Sequence, residues 1–193
     1  MPRDIILIKD WNKLEDACKE CKRCKLCETR TNVVFGEGNK NSKILFVGEG
    51  PGFHEDVQGK PFVGRSGKLL DELLNEIGLY RDKNIYIANI VKCRPPNNRD
   101  PLPEEQEICI NFLRNQVYIM RPKVIVSLGR ISAMKIIDPN IKITRDHGIF
   151  VNKKGIFMMP TLHPAAVLRN MSKKEDVIKD FQNLKNKIEE LGI

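Results

Sequence analysis

Four cysteines, Cys18, Cys21, Cys24 and Cys27, stand three residues apart in WNKLEDACKECKRCKLC, so every consecutive pair forms C-x2-C. That spacing lets two thiolates from one turn reach the same ion or cluster, a strong sign of metal that does not say which metal. The interleaved Lys19, Lys22, Arg23 and Lys25 favour thiolates electrostatically, or else form a solvated basic face. Two further cysteines, Cys93 and Cys109, bracket the proline-broken stretch KCRPPNNRDPLPEE, and a metal site shared with the amino-terminal cysteines is its obvious fastener. A second group of reactive types follows the apolar run ILFV, where GEGPGFHED brings Glu49, Glu55 and Asp56 close to Phe62.

These groups need a scaffold. Residues 44–47 are continuously apolar, as a strand covered on both faces requires. Gly48, Gly50, Pro51 and Gly52 break the pattern at its carboxyl end, where open parallel sheets form their ligand crevice. Further strands are expected over 84–91, 123–129 and 155–162. Helical spacing begins at Ser66 and at Pro103, with a short helix at RISAMKII and a closing helix carrying Val177, Phe181, Leu184, Ile188 and Leu191. The alternation predicts an α/β fold: a three-layer α/β/α sandwich with a central four-stranded parallel sheet. The 193 residues are expected to form one domain, 1–193.

There is no run of eighteen apolar residues, and the start MPRDIILIKD lacks a secretory signal, so a cytoplasmic protein without membrane contact is expected. In such a compartment metal explains six cysteines better than disulfides do. A formal charge of +8 favours polyanionic partners.

GEGPGFHED with GKPFVG, NIVKCRPP, a second cysteine sixteen residues after Cys93, and LHPAAVLRN, taken in this order, resemble a family 4 uracil-DNA glycosylase, the iron-sulfur branch of that superfamily. The resemblance runs from about Cys21 to Asn170. It implies a monofunctional glycosylase that flips uracil out of single- or double-stranded DNA and hydrolyses its N-glycosidic bond, initiating base excision repair. It also implies a 4Fe-4S cluster on Cys21, Cys24, Cys93 and Cys109, pinning a loop with Lys92, Arg94 and Arg99 beside the DNA. Cys18 and Cys27 are left without a role, and a local zinc site on Cys18, Cys21, Cys24 and Cys27 stays open as the alternative. A monomer is expected, with a sliding clamp as a further candidate partner.

On the same resemblance Phe62 would stack on the base, Asn89 would read its edge and His163 would stabilise charge at uracil O2, with Gly50 also lining the uracil site. Residues 164–170 would form a loop entering the minor groove, Val167 or Leu168 filling the gap in the stack and Arg169 near phosphate. No family base transfers, because Gly50 occupies its place. Glu49 ranks first and Glu55 second as water-positioning groups, unless one of them merely accepts backbone N–H bonds in the turn. His54 and His147 read as structural. Two other classes compete: a non-catalytic nucleic-acid-binding module with zinc, and a nucleotide-binding enzyme using the GEGPG turn, which lacks G-x-G-x-x-G and a Walker lysine.

Overall fold

The computed structural model describes residues 7–193, so MPRDII, part of the stretch read for a secretory signal, lies outside the described residues. Helix α1 (Trp11–Lys19) begins where the Asp10 carboxylate accepts from the Lys13 amide at 2.8 Å, an N-cap that satisfies an otherwise orphaned donor. The chain continues through β1 (Glu37–Gly38), β2 (Ile44–Gly48), α2 (Phe53–Gln58), α3 (Arg65–Glu76) and β3 (Tyr86–Asn89). Next come α4 (Pro103–Met120), β4 (Val124–Leu128), α5 (Arg130–Ile136), α6 (Ile143–Asp146), β5 (Val151–Lys153), β6 (Ile156–Thr161), α7 (Pro164–Arg169) and α8 (Lys174–Leu191).

The strand order is β1-β3-β2-β4-β6-β5. The four central strands are mutually parallel, as expected, but antiparallel β1 and β5 extend the sheet to six. Neither edge strand shows an apolar pattern: β1 is two residues long and β5 is exposed along its length. Side chains alternate across the sheet. Phe46, Ile87 and Val126 point into a core completed by α3, α7 and α8, while Leu45, Val47, Ala88 and Ile125 meet α1 and α4. Among the described residues, no helix is long and apolar enough to cross a membrane.

Two departures concern the segments nearest the sheet's carboxyl edge. The stretch before Phe62 contains α2, and 164–170 is not a loop: Pro164 sits at the start of α7, where its fixed φ suits a first helical position. That helix turns Val167 fully into the core and leaves Leu168 exposed.

Helix α3 approaches the Phe62 turn so closely that a Cβ on Gly67 would overlap the Phe62 carbonyl. Gly67→Ala is therefore expected to cost about 1–3 kcal/mol in urea unfolding, the usual penalty of overpacking against backbone that cannot yield.

Candidate active site

The carboxyl ends of the parallel strands open into a cleft of about 560 Å3 lined by Glu49, Gly50, Phe62, Asn89 and His163. These residues come from the ends of β2, β3 and β6 and from the turn before α3. Asn89 is set by the ladder, because beyond it the Ile90 amide still donates to the Gly48 carbonyl at 3.0 Å and the Val91 amide to that of Glu49 at 3.1 Å. Its side chain is buried, and its Oδ1 has no hydrogen-bond partner among the described residues. Buried acceptors rarely stay orphaned without reason, and an orphan facing a cleft marks where a ligand donor belongs.

Gly48 explains how the amide and the ring meet. A Cβ there would collide with Asn89 Oδ1 and stand 2.7 Å from Phe62 Cζ, so the missing side chain is the space the two groups share. Phe62 in turn lies 5.6 Å, centroid to centroid, from the His163 ring, with planes inclined by 28°. A Cβ on Gly50 would press to 2.7 Å from Val91 Cγ2.

Phe62 reaches this place at a cost. Its φ of 53° lies in the left-handed region, an outlier for a bulky residue. Arg81 holds it there, donating to the Pro61 carbonyl at 2.7 Å and to the Phe62 carbonyl at 2.6 Å. The guanidinium is itself oriented by Asp71 at 2.7 Å and Glu37 at 3.1 Å. Glu55 completes the turn, its Oε1 accepting from the Val63 and Gly64 amides at 2.9 Å each. This is the alternative left open for it, a carboxylate oxygen that accepts backbone N–H bonds in the turn, while Glu55 also lines the cleft. Asp56, also buried, accepts from the Thr31 amide at 2.9 Å and fastens the cysteine-bearing segment to the same turn.

The two remaining polar groups have opposite electrostatics. Burial drives the Glu49 carboxyl up to about 7, helped by nearby Asp100 and opposed by Arg130. Burial lowers His163 to about 4, with the Arg169 charge acting in the same direction and Glu55 against it. A neutral imidazole results. Its Nδ1 accepts from the Ala165 amide at 3.1 Å, which leaves the ring proton on Nε2. His147 is structural, bonded to buried Asp180 at 2.9 Å, while Asp180 also accepts from Thr161 Oγ1 at 2.6 Å.

Val167 is fully buried in the core and does not line the cleft, so it is not available as a wedge; Leu168 is the exposed neighbour. Arg169 lines the cleft. Lys92, expected beside DNA, is instead buried, donating to Gln116 Oε1 at 2.7 Å and the Phe35 carbonyl at 3.1 Å, and burial lowers it to about 8. The proline-rich loop has a latch of its own, a bidentate Arg99–Glu105 pair at 2.7 and 2.9 Å.

All six cysteines line one small enclosed space together with Arg23, Arg30 and Lys92. Arg30 donates to Cys93 Sγ at 3.1 Å, and the Lys92 amide to Cys109 Sγ at 3.2 Å. Burial raises the thiols of Cys24 and Cys93 and pushes Cys109 up to about 12, so several thiolates together here require a cationic partner. Among the described residues no three His, Cys, Asp or Glu side chains converge on a point that would suit a single ion. Six thiols facing one enclosed space are a donor set of the kind that metal takes.

A doubly wound sheet with a neutral imidazole, an orphaned amide and an aromatic ring at its strand ends defines a site for a flat, hydrogen-bonding ring. Residues 35–188 match the family model described as the uracil DNA glycosylase superfamily. Among curated relatives, a type-4 uracil-DNA glycosylase of Thermotoga maritima is 48% identical over 167 residues, 84% of this chain and 86% of that protein. One of Archaeoglobus fulgidus is 43% identical over 182 residues, 89% of this chain and 91% of its own length. A type-5 uracil-DNA glycosylase of Pyrobaculum aerophilum is 31% identical, over 66% of this chain and 63% of that protein. This chain belongs to the uracil-DNA glycosylase superfamily, among its type-4 members.

Arg81 gave no sequence signal, since it acts on carbonyls about twenty residues earlier through a turn of no recognisable pattern. Arg81→Met removes two charge-assisted bonds to backbone that is strained without them. Urea unfolding should show a loss of about 2–4 kcal/mol, and wild-type stability in that variant would mean that Arg81 is no clamp.

Proposed function

We propose that the chain acts as one domain to excise uracil from DNA by hydrolysing its N-glycosidic bond. The observation that carries this reading is the orphaned Asn89 Oδ1, which lines one cleft with Phe62 and a neutral His163 at the strand ends. A base inside a duplex is out of reach of such a cleft, so the nucleotide is flipped out first, at a cost of a few kcal/mol. Exposed Leu168 stands near the rim to take the vacated place in the stack, and Arg169 offers charge to the backbone.

Once extrahelical, uracil stacks on Phe62, a contact worth about 1–3 kcal/mol. Asn89 Oδ1 accepts from N3–H while its Nδ2 donates to O4. Cytosine presents the reverse at both positions and would leave the buried amide unpaired, which is where selectivity arises. As the C1′–N1 bond breaks, its electron pair passes to the base, and His163 Nε2–H donates to O2 where the charge gathers. A neutral donor suits this step, because stabilisation by hydrogen bonding requires no proton to be given up. Water adds to C1′ of the oxocarbenium-like sugar, and Glu49, once ionised, orients it and takes its proton. Free uracil and an abasic site result, without strand scission.

The cysteine arrangement supports a 4Fe-4S centre on Cys21, Cys24, Cys93 and Cys109. When bound, such a centre supplies a structural crosslink. The residues around it carry the consequence: Arg30 and the Lys92 amide hold two of the thiols, and Asp56 joins the segment to the Phe62 turn.

Four outcomes test this. Uracil release should rise with pH through about 7 as Glu49 ionises, with no separate step near 6.5 because His163 is already neutral there; Glu49→Gln should be slow and lose the limb near 7. The stability signs run oppositely: Glu49 binds a proton in the folded chain that the unfolded chain has released, so between about 4.5 and 7 its contribution falls as pH rises, whereas that of His163 grows with pH between about 4 and 6.5. His163→Ala should lower turnover roughly 10²–10³-fold while DNA binding persists, and unchanged turnover would take the imidazole out of the reaction. Purified protein should be brown; Cys93→Ala should lose iron and Cys27→Ala should keep it, and the converse pattern would move the centre to the amino-terminal four.

A further inference from the structure

The active-site cleft uses only one end of the sheet. At the opposite end, where β2, β4 and β6 begin, six cations are exposed: Lys9, Lys40, Lys43, Arg121, Lys123 and Lys154. They line two grooves that share Lys43, Tyr118 and Arg121, and among the described residues no Asp or Glu lines either groove. The arrangement is rigid where it matters. The Lys123 amide donates to the Lys43 carbonyl at 2.8 Å and the Phe157 amide to the Lys123 carbonyl at 2.9 Å, so these lysines stand side by side on adjacent strands. Arg121 and Lys154 are each held in left-handed turns, with φ of 50° and 54°.

Elsewhere several surface cations are held by carboxylates, Arg81, Arg99, Arg130, Lys135, Arg145 and Lys187 among them. Among the described residues none of the six at this end has an ion pair or a side-chain hydrogen bond. Between them lies Tyr118, 43% exposed on α4, with Trp11 in the same wall. Unpaired cations around an aromatic ring are the composition of a groove that follows a phosphate backbone and offers bases a stacking face.

We propose that this end of the sheet binds a second segment of DNA, preferentially single-stranded, while the cleft is engaged with the first. The proposal rests on the uracil-excision reading only for what occupies the cleft. Lying beyond the opposite ends of the same strands, the basic end faces away from DNA seated there, so one segment does not serve both. Charge and stacking favour nucleic acid over an acidic protein, which would use the cations and leave Tyr118 idle.

The test compares the wild-type holoprotein with the fourfold variant Lys43→Gln, Arg121→Gln, Lys123→Gln, Lys154→Gln, using a short uracil-free oligothymidylate as probe. Wild type should bind two oligonucleotides in sedimentation, the variant one. A log–log plot of the second binding step against salt should flatten by about 0.7 for each phosphate no longer neutralised, close to 3 in all, in any residual binding by the variant. Tyr118→Ser should weaken the second step about tenfold without changing its slope. Single-turnover uracil release from a short oligonucleotide should be the same in all three proteins. Should the fourfold variant not fold, Lys43→Gln with Lys154→Gln carries half the change in slope. A wild-type stoichiometry of one, an unaltered second step in the variants, or poly-glutamate displacing the probe at equal charge would each overturn the proposal. Absence of uracil release from the wild type would instead overturn the excision reading, so the two failures are distinguishable.

Discussion

An aromatic side chain must be suspended over a strand end, and only a left-handed backbone at Phe62 puts it there. Bulky residues avoid that conformation, so the structure surrounds it with fixed partners: the Arg81 guanidinium on two successive carbonyls, Glu55 on two following amides, and Gly67 beneath. Each is anchored in turn, Arg81 by Asp71 and Glu37 and Gly67 by its helix. Strain of order 1–3 kcal/mol persists only where the surroundings over-determine it, and here they draw on β1, α2 and α3 together.

Burial does different work at the two functional centres. Within the cleft it separates two titratable groups, holding an imidazole neutral and a carboxyl near the middle of the physiological range, which assigns one to hydrogen-bond donation and the other to water. Among the cysteines it raises every affected thiol, and the buried Lys92 ammonium adds positive charge close to Cys18 and Cys109. The same physical term therefore prepares a reaction in one place and a demand for a cation in the other.

Much of this was legible in the chain. The run ILFV and the strands over 124–128 and 156–161 were readable because both faces of a central parallel strand are covered, and helix α4 announced itself through Pro103 and an acidic first turn. The grouping of Phe62, Asn89 and His163 in one cleft matches what the motifs implied. Other features had no local signal. The edge strands are too short and too polar to show a period. In a six-residue helix one step rotates a side chain by about 100°, so pattern alone did not separate core-facing Val167 from exposed Leu168. Lys92 looked like a surface cation because its partners, Phe35 and Gln116, lie far away in sequence. Gly48 read as a strand breaker, whereas its greater use is the room it leaves for two neighbours.

The bond between Asp180 and Thr161 joins α8 to the strand that delivers His163, and Val177, Phe181 and Leu184 fill the core beneath Phe62. In order of synthesis, the ring and the amide emerge long before this support does. A nascent chain released from the ribosome only as far as residue 163 would carry Phe62, Asn89 and His163 yet lack the buttress that seats the imidazole, so the last thirty residues of synthesis are needed to complete the site.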